Sequence, residues 1–180
     1  MRTFVAIFPP QRVRQALFRA ARDLPAGKDF RLISPEKLHL TLKFLGEVAE
    51  DTLGRVKQAL QPLSERHEPF EVSTSGFGTF PSEKKARILW AGVGEGSESV
   101  RAVAQSVEDL LQPAGFEREQ RPYVPHLTLA RARSRRANLE NAGGEMPAFR
   151  FTVSSVELVE SVPGAGGVTY STTPAGRGSL

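Results

Sequence analysis

The chain has 180 residues, 39% hydrophobic and 24% charged, with a formal net charge of +4 and a pI near 9.8. That is apolar material enough for a core in one domain, and no apolar run reaches the roughly 20 residues of a membrane-spanning helix. The absence of cysteine excludes disulfides, thiolate metal sites and a cysteine nucleophile, and the basic balance suits anionic partners.

Taken in order, Thr3 to Phe8 has the short apolar character of a first strand, closed by Pro9-Pro10. Pro10 is placed to open a helix, and Val13, Leu17, Ala20, Ala21 and Leu24 recur at helical spacing until Ala26-Gly27-Lys28-Asp29 breaks it. Phe30 to Ile33 reads as a short extended piece, Ser34 to Lys37 as a capped turn, and His39 to Leu45 as a strand. A second helix is expected from about Glu50 to Ser64, with Leu53, Val56, Leu60 and Leu63 on one stripe. Phe70 to Phe80 and Ala86 to Val93 read as strands. Gly92 to Gly96 reads as a tight turn before a cap at Ser97, followed by a third helix to about Gln112. The closing strands are expected at Leu127 to Ala132, Ala148 to Val159 and, weakly, Val168 to Ser171. Neither Gly92 to Gly96 nor Gly164 to Gly167 meets the spacing of a nucleotide-binding glycine loop.

The order repeats. Ile7 stands 32 residues before His39, and Gly92 stands 34 before His126; each interval holds a long helix and a proline-bearing approach to the same tetrapeptide. The expectation is an α+β fold of two pseudo-symmetric lobes. Each lobe is an antiparallel sheet with helices on its outer side, facing a central cleft, and the whole chain forms one bilobal domain.

Two of the three histidines lie in identical strings, His39-Leu40-Thr41-Leu42 and His126-Leu127-Thr128-Leu129. Residues two apart in a strand share a face. Each histidine and threonine can therefore project into a cleft while the leucines anchor the strand. Two imidazoles and two hydroxyls around one phosphorus suit hydrolysis of a cyclic phosphate. One histidine takes a proton from water, the other gives one to the departing oxygen, and the threonines donate to the non-bridging oxygens. No metal or other cofactor is required by that chemistry, and neither string has the spacing of a metal site.

The pair of motifs, about 87 residues apart, resembles the 2H phosphoesterases. Arg2 to Phe8, Leu38 to Glu47 (LHLTLKFLGE), Phe77 to Pro81, Ile88 to Val93 and Arg121 to Arg131 (RPYVPHLTLAR) resemble landmarks of the RNA 2',3'-cyclic phosphodiesterases, long called 2'-5' RNA ligases. The resemblance runs from residue 1 to about 160. It implies opening of a 2',3'-cyclic end to a 2'-phosphate, with His39 protonating the leaving O3' and His126 activating water. The reverse reaction, 2'-5' ligation, would be weak in water. The resemblance also implies an anion contact for Arg131 and for Lys43.

Phe44 and Tyr123 flank the motifs; each is a candidate to stack on a base, with core packing as the other fate. Arg133, Arg135 and Arg136 could track an RNA backbone or lie in a solvated loop, Trp90 reads as core, and His67 as a surface turn. Tyr170 to Arg177 is less hydrophobic than a closing strand should be. The expected partner is RNA with a cyclic phosphate end, or a nucleotide, and the expected state is a cytoplasmic monomer without an obligatory protein partner. The rival readings are a non-catalytic nucleotide or RNA binder that keeps the cleft, and a related enzyme for a small cyclic nucleotide.

Overall fold

The computed structural model describes residues 2–24, 29–133, 147–164, 167–177 and 180. Arg135 and Arg136, and the middle of the Gly164 to Gly167 turn, lie outside the described residues. The strands are β1 (Arg2–Ile7), β2 (Phe30–Leu32), β3 (Leu40–Glu47), β4 (Phe70–Phe80), β5 (Ile88–Val93), β6 (His126–Ala132), β7 (Arg150–Val153), β8 (Glu157–Gly164) and β9 (Gly167–Pro174). The helices are α1 (Gln11–Arg22), α2 (Glu50–Leu60), α3 (Leu63–Arg66) and α4 (Ser97–Leu111). The strands join in the order β7-β4-β5-β6-β3-β1-β8-β9, with β2 paired to β6, and every recorded pairing is antiparallel.

The order is palindromic. Four strands of that path lie on each side of the seam between β3 and β6, with β2 added beside β6, and the seam is a single register pair, Leu40 with Leu127. On one side Ile7 faces Leu40 and Ala6 faces Thr41; on the other Ala91 faces Leu127 and Trp90 faces Thr128. The sequence repeat is thus a structural one, with Ile7 equivalent to Ala91 rather than to Gly92.

The helices cross over. α1 follows β1 yet packs against β6, and α4 follows β5 yet packs against β3. Their buried faces, Val13, Leu17 and Ala21 on one and Val100, Val103, Val107 and Leu111 on the other, join Leu40, Leu42, Leu127 and Leu129 in one core. Apolar burial of this kind, about 25 cal/mol per Å² removed from water, holds both motif strands from behind. α4 begins after Gly96, which has a φ of 80° and where a Cβ would lie 2.2 Å from the Glu71 carbonyl oxygen. The cap is therefore Gly96 rather than Ser97.

Two expectations are corrected. The second helix stops at Leu60; Pro62 supplies no amide hydrogen, and the short α3 follows it. The long strand expected over 148–159 is broken at Ser154 to Val156, and its halves part to opposite sides of the sheet, β7 beside β4 and β8 beside β1. The weak last strand is instead an eight-residue partner of β8. No helix among the described residues is long and apolar enough to cross a membrane.

Candidate active site

From His39 to Leu45 and from His126 to Ala132 the pattern of burial is identical. Histidine and threonine are half-buried, both leucines are buried, the next residue is buried too, and the one after it is exposed. The doubled burial has a cause. Both strands carry a bulge at the same point, in the pairing of Ala6 and Val5 with Thr41 and Lys43, and of Trp90 and Leu89 with Thr128 and Ala130. One extra residue reverses the alternation beyond it. Leu42 and Lys43 both point into the core, as do Leu129 and Ala130. Phe44 and Arg131, each five residues beyond its histidine, return to the cleft face.

Each histidine is oriented by the carbonyl two residues before it. Nδ1–H of His39 donates to Lys37 O at 2.7 Å, and Nδ1–H of His126 donates to Val124 O at 2.7 Å. A carbonyl only accepts, so both rings hold their proton on Nδ1 and turn Nε2 toward the cleft. The residues that present these carbonyls sit in proline-bearing approaches, Pro35 to Lys37 and Pro122 to Pro125, whose restricted backbones fix the aim. The hydroxyls of Thr41 and Thr128 form no hydrogen bond to any described residue.

Aromatic rings wall the two imidazoles, with different rings on each side. His39 stacks on Phe4 at 4.8 Å between centroids, and lies 5.4 Å from Phe8 and 5.7 Å from Tyr170. His126 meets Phe80 edge-on at 5.2 Å and Trp90 at 6.0 Å. Phe4, Ala6 and Val159, with Phe8 and Tyr170 beside them, make a small apolar cluster separate from the main core. Burial lowers the His39 pKa from 6.5 to about 4; the bond to Lys37 O opposes this, while the charges of Arg131 and His126 add to it. The Arg131 charge, from β6, thus reaches the imidazole on β3.

The sequence misses most of these walls. Phe4 and Phe8 are readable from strand parity, since they alternate with the buried Val5 and Ile7. Trp90 is not a core residue: it faces the cleft from its place beside Thr128, with its ring over Gly78, where a Cβ would come within 2.1 Å. Tyr170, from the weakly hydrophobic closing segment, lies 131 residues from His39 with no local signal to connect them.

Two expected substrate residues point elsewhere. The β3 bulge turns Lys43 away from the cleft, and its Nζ donates to Glu108 on α4 and to the Glu117 carbonyl, both at 2.7 Å. The Tyr123 hydroxyl donates to Thr41 O at 2.9 Å, and burial raises its pKa; the ring braces β3 and is no open stacking surface. Arg133 is tied through Nε to Phe30 O, and His67 is half-buried against Ser106 at 2.8 Å rather than free in a turn. Phe44, by contrast, is 70% exposed, 5.7 Å from Phe4. Among the described residues no group of three or more potential metal ligands gathers.

A protein of Aeropyrum pernix named RNA 2',3'-cyclic phosphodiesterase is 32% identical over 151 residues, covering 81% of this chain and 85% of its own. Another of that name from Archaeoglobus fulgidus is 35% identical over 133 residues, covering 74% and 73%. The solved structure of the Thermus thermophilus protein TT0787 superposes with a TM-score of 0.80 at 26% identity, over 98% of this chain and all of that one. LigT of E. coli, solved with 3'-AMP, shares the fold with a TM-score of 0.82 at 22% identity, over 99% and 97%. A family model described as the 2'-5' RNA ligase superfamily matches residues 9–164. With that match across most of its length, the chain belongs to the 2'-5' RNA ligase superfamily.

Proposed function

We propose that this protein hydrolyses RNA 2',3'-cyclic phosphate ends to 2'-phosphates by paired histidine acid–base catalysis. The supporting observation is that two imidazoles, held in the same tautomer by equivalent carbonyls, flank the Leu40–Leu127 seam. The relatives' names describe this activity for them.

In this reading the phosphate rests over the seam. His126 Nε2 takes a proton from water as the water oxygen attacks phosphorus. His39 Nε2–H gives a proton to O3' as the P–O3' bond breaks, leaving a 2'-phosphate and a free 3'-hydroxyl. Thr41 and Thr128 donate to the non-bridging oxygens, where charge builds. Arg131 contacts a backbone phosphate of the substrate, and Phe44 stacks on the terminal base. Burial holds His39 neutral at neutral pH, so its acid role needs the substrate anion to raise its proton affinity. One chain supplies every group named here, which supports a site built within a single subunit; in this reading that subunit acts on RNA in the cytoplasm.

The test is turnover of a cyclic-ended oligonucleotide in EDTA, with analysis of the product as a 2'- or 3'-phosphate. His39→Ala and His126→Ala should each lower kcat/KM by at least about 10²-fold. Full activity in either variant ends the proposal.

A further inference from the structure

Arg31 on β2 and Arg131 on β6 are direct cross-strand partners. Opposed residues of an antiparallel pair project from the same face, with Cα atoms about 4.5–5.5 Å apart. Both arginines are exposed, while their strand neighbours Phe30 and Ala130 are buried on the opposite face. Like charges placed directly opposite destabilise a sheet. Neither guanidinium has a carboxylate partner among the described residues. The pair shares the face that carries Thr128, three residues back along β6, or about 10 Å of extended chain. The Arg131 charge reaches His39, and the β2–β6 pairing sets Arg31 beside Arg131.

We infer that Arg31 and Arg131 together form a second anion site, which takes the phosphodiester next to the cyclic end and makes the enzyme prefer RNA chains to mononucleotides. The inference rests on the proposed function and adds a substrate class to it. Two guanidinium forks on one face can each donate two hydrogen bonds to phosphate oxygens, and a bound anion removes their mutual repulsion. The pseudo-dyad points the same way. At the fifth residue beyond each histidine it places an aromatic ring on one side, Phe44, and a cation on the other, Arg131. The catalytic centre is symmetric in type, but the groups five residues beyond its two histidines are not, so a base and a further phosphate are received by different motif strands.

Three cyclic-ended substrates test this: a mononucleotide, a dinucleotide, and the same dinucleotide with a neutral methylphosphonate linkage. Wild type should favour the charged dinucleotide by about 10-fold in kcat/KM over both others. Arg31→Ala should lose several-fold more activity on the charged dinucleotide than on the mononucleotide, and Arg31→Lys should retain part of the preference. Equal turnover of the charged and neutral dinucleotides by wild type, or equal proportional loss on all three in Arg31→Ala, overturns the inference. Should wild type turn over none of them, the proposed hydrolysis fails. The anion site is then decided by binding of a 5'-phosphorylated dinucleotide. Its dependence of log Kd on log salt should fall by about 0.7 in Arg31→Ala, and an unchanged slope overturns the site.

Discussion

Leu40 and Leu127 face each other as the single register pair that joins the two halves of the sheet, each one residue beyond a cleft histidine and each fully buried. Their packing therefore sets the spacing of the two imidazoles as well as holding the fold together. Truncating either removes buried methyl groups from the core. Leu40→Ala or Leu127→Ala should cost about 2–5 kcal/mol of stability in urea unfolding. Activity of the remaining folded protein should also fall. Destabilisation with undiminished activity per folded molecule would detach the seam from the site.

Lys43 and Glu108 form an ion pair whose side chains are 6% and 14% exposed. Removing one partner strands the other in the core. Lys43→Met should destabilise by about 3–5 kcal/mol, and combining it with Glu108→Leu should recover much of the loss. Activity per folded molecule should stay near wild type. A raised KM with intact stability would return Lys43 to the substrate.

Titration of His39 links stability to pH. Its folded pKa, about 4, lies below its ordinary value of 6.5, so the unfolded chain binds more protons in between. Stability should be greatest above pH 6.5 and should fall as the pH drops toward 4. Burial lowers His67 as well, so it acts in the same direction below pH 6.5. The urea midpoint of His39→Leu should depend less steeply on pH across that range. An unaltered slope would mean that the ring is not desolvated.

The same shift separates two kinetic profiles. The kcat/KM profile reports the free enzyme, in which His39 is held neutral, and kcat reports the complex, in which the phosphate raises it. The optimum of kcat should therefore lie at a higher pH than that of kcat/KM. Coincident optima would show that the bound anion does not act on His39.

Phe44 should act on binding rather than chemistry. Base stacking contributes about 1–3 kcal/mol per base, so Phe44→Ala should raise KM roughly 5- to 150-fold, and Phe44→Trp should restore it. Because the side chain is largely exposed, thermal stability should change little. A large loss of stability would instead make Phe44 part of the fold.

Much of this is readable from the chain because the motif itself carries the parity of a strand. His39, Thr41, His126 and Thr128 alternate with leucine, and helices at 11–22, 50–60 and 97–111 follow their apolar spacing. Parity fails one bulge later. Read as an unbroken strand, Lys43 shares the face of His39 and Arg131 opposes that of His126; the extra residue at each bulge reverses both assignments. The rings around the histidines are hidden for another reason. Phe80, Trp90 and Tyr170 reach them through strand pairings, and pairing leaves no local trace in composition.

The exchange of helices across the seam has a consequence for the molecule as a machine. Each half carries one motif strand but borrows the support behind that strand from the other half. A fragment ending between β4 and β5 would present β3 without α4, and the remaining fragment would present β6 without α1. Neither piece could keep its imidazole aimed, so loosening one half should slacken the histidine that belongs to the other.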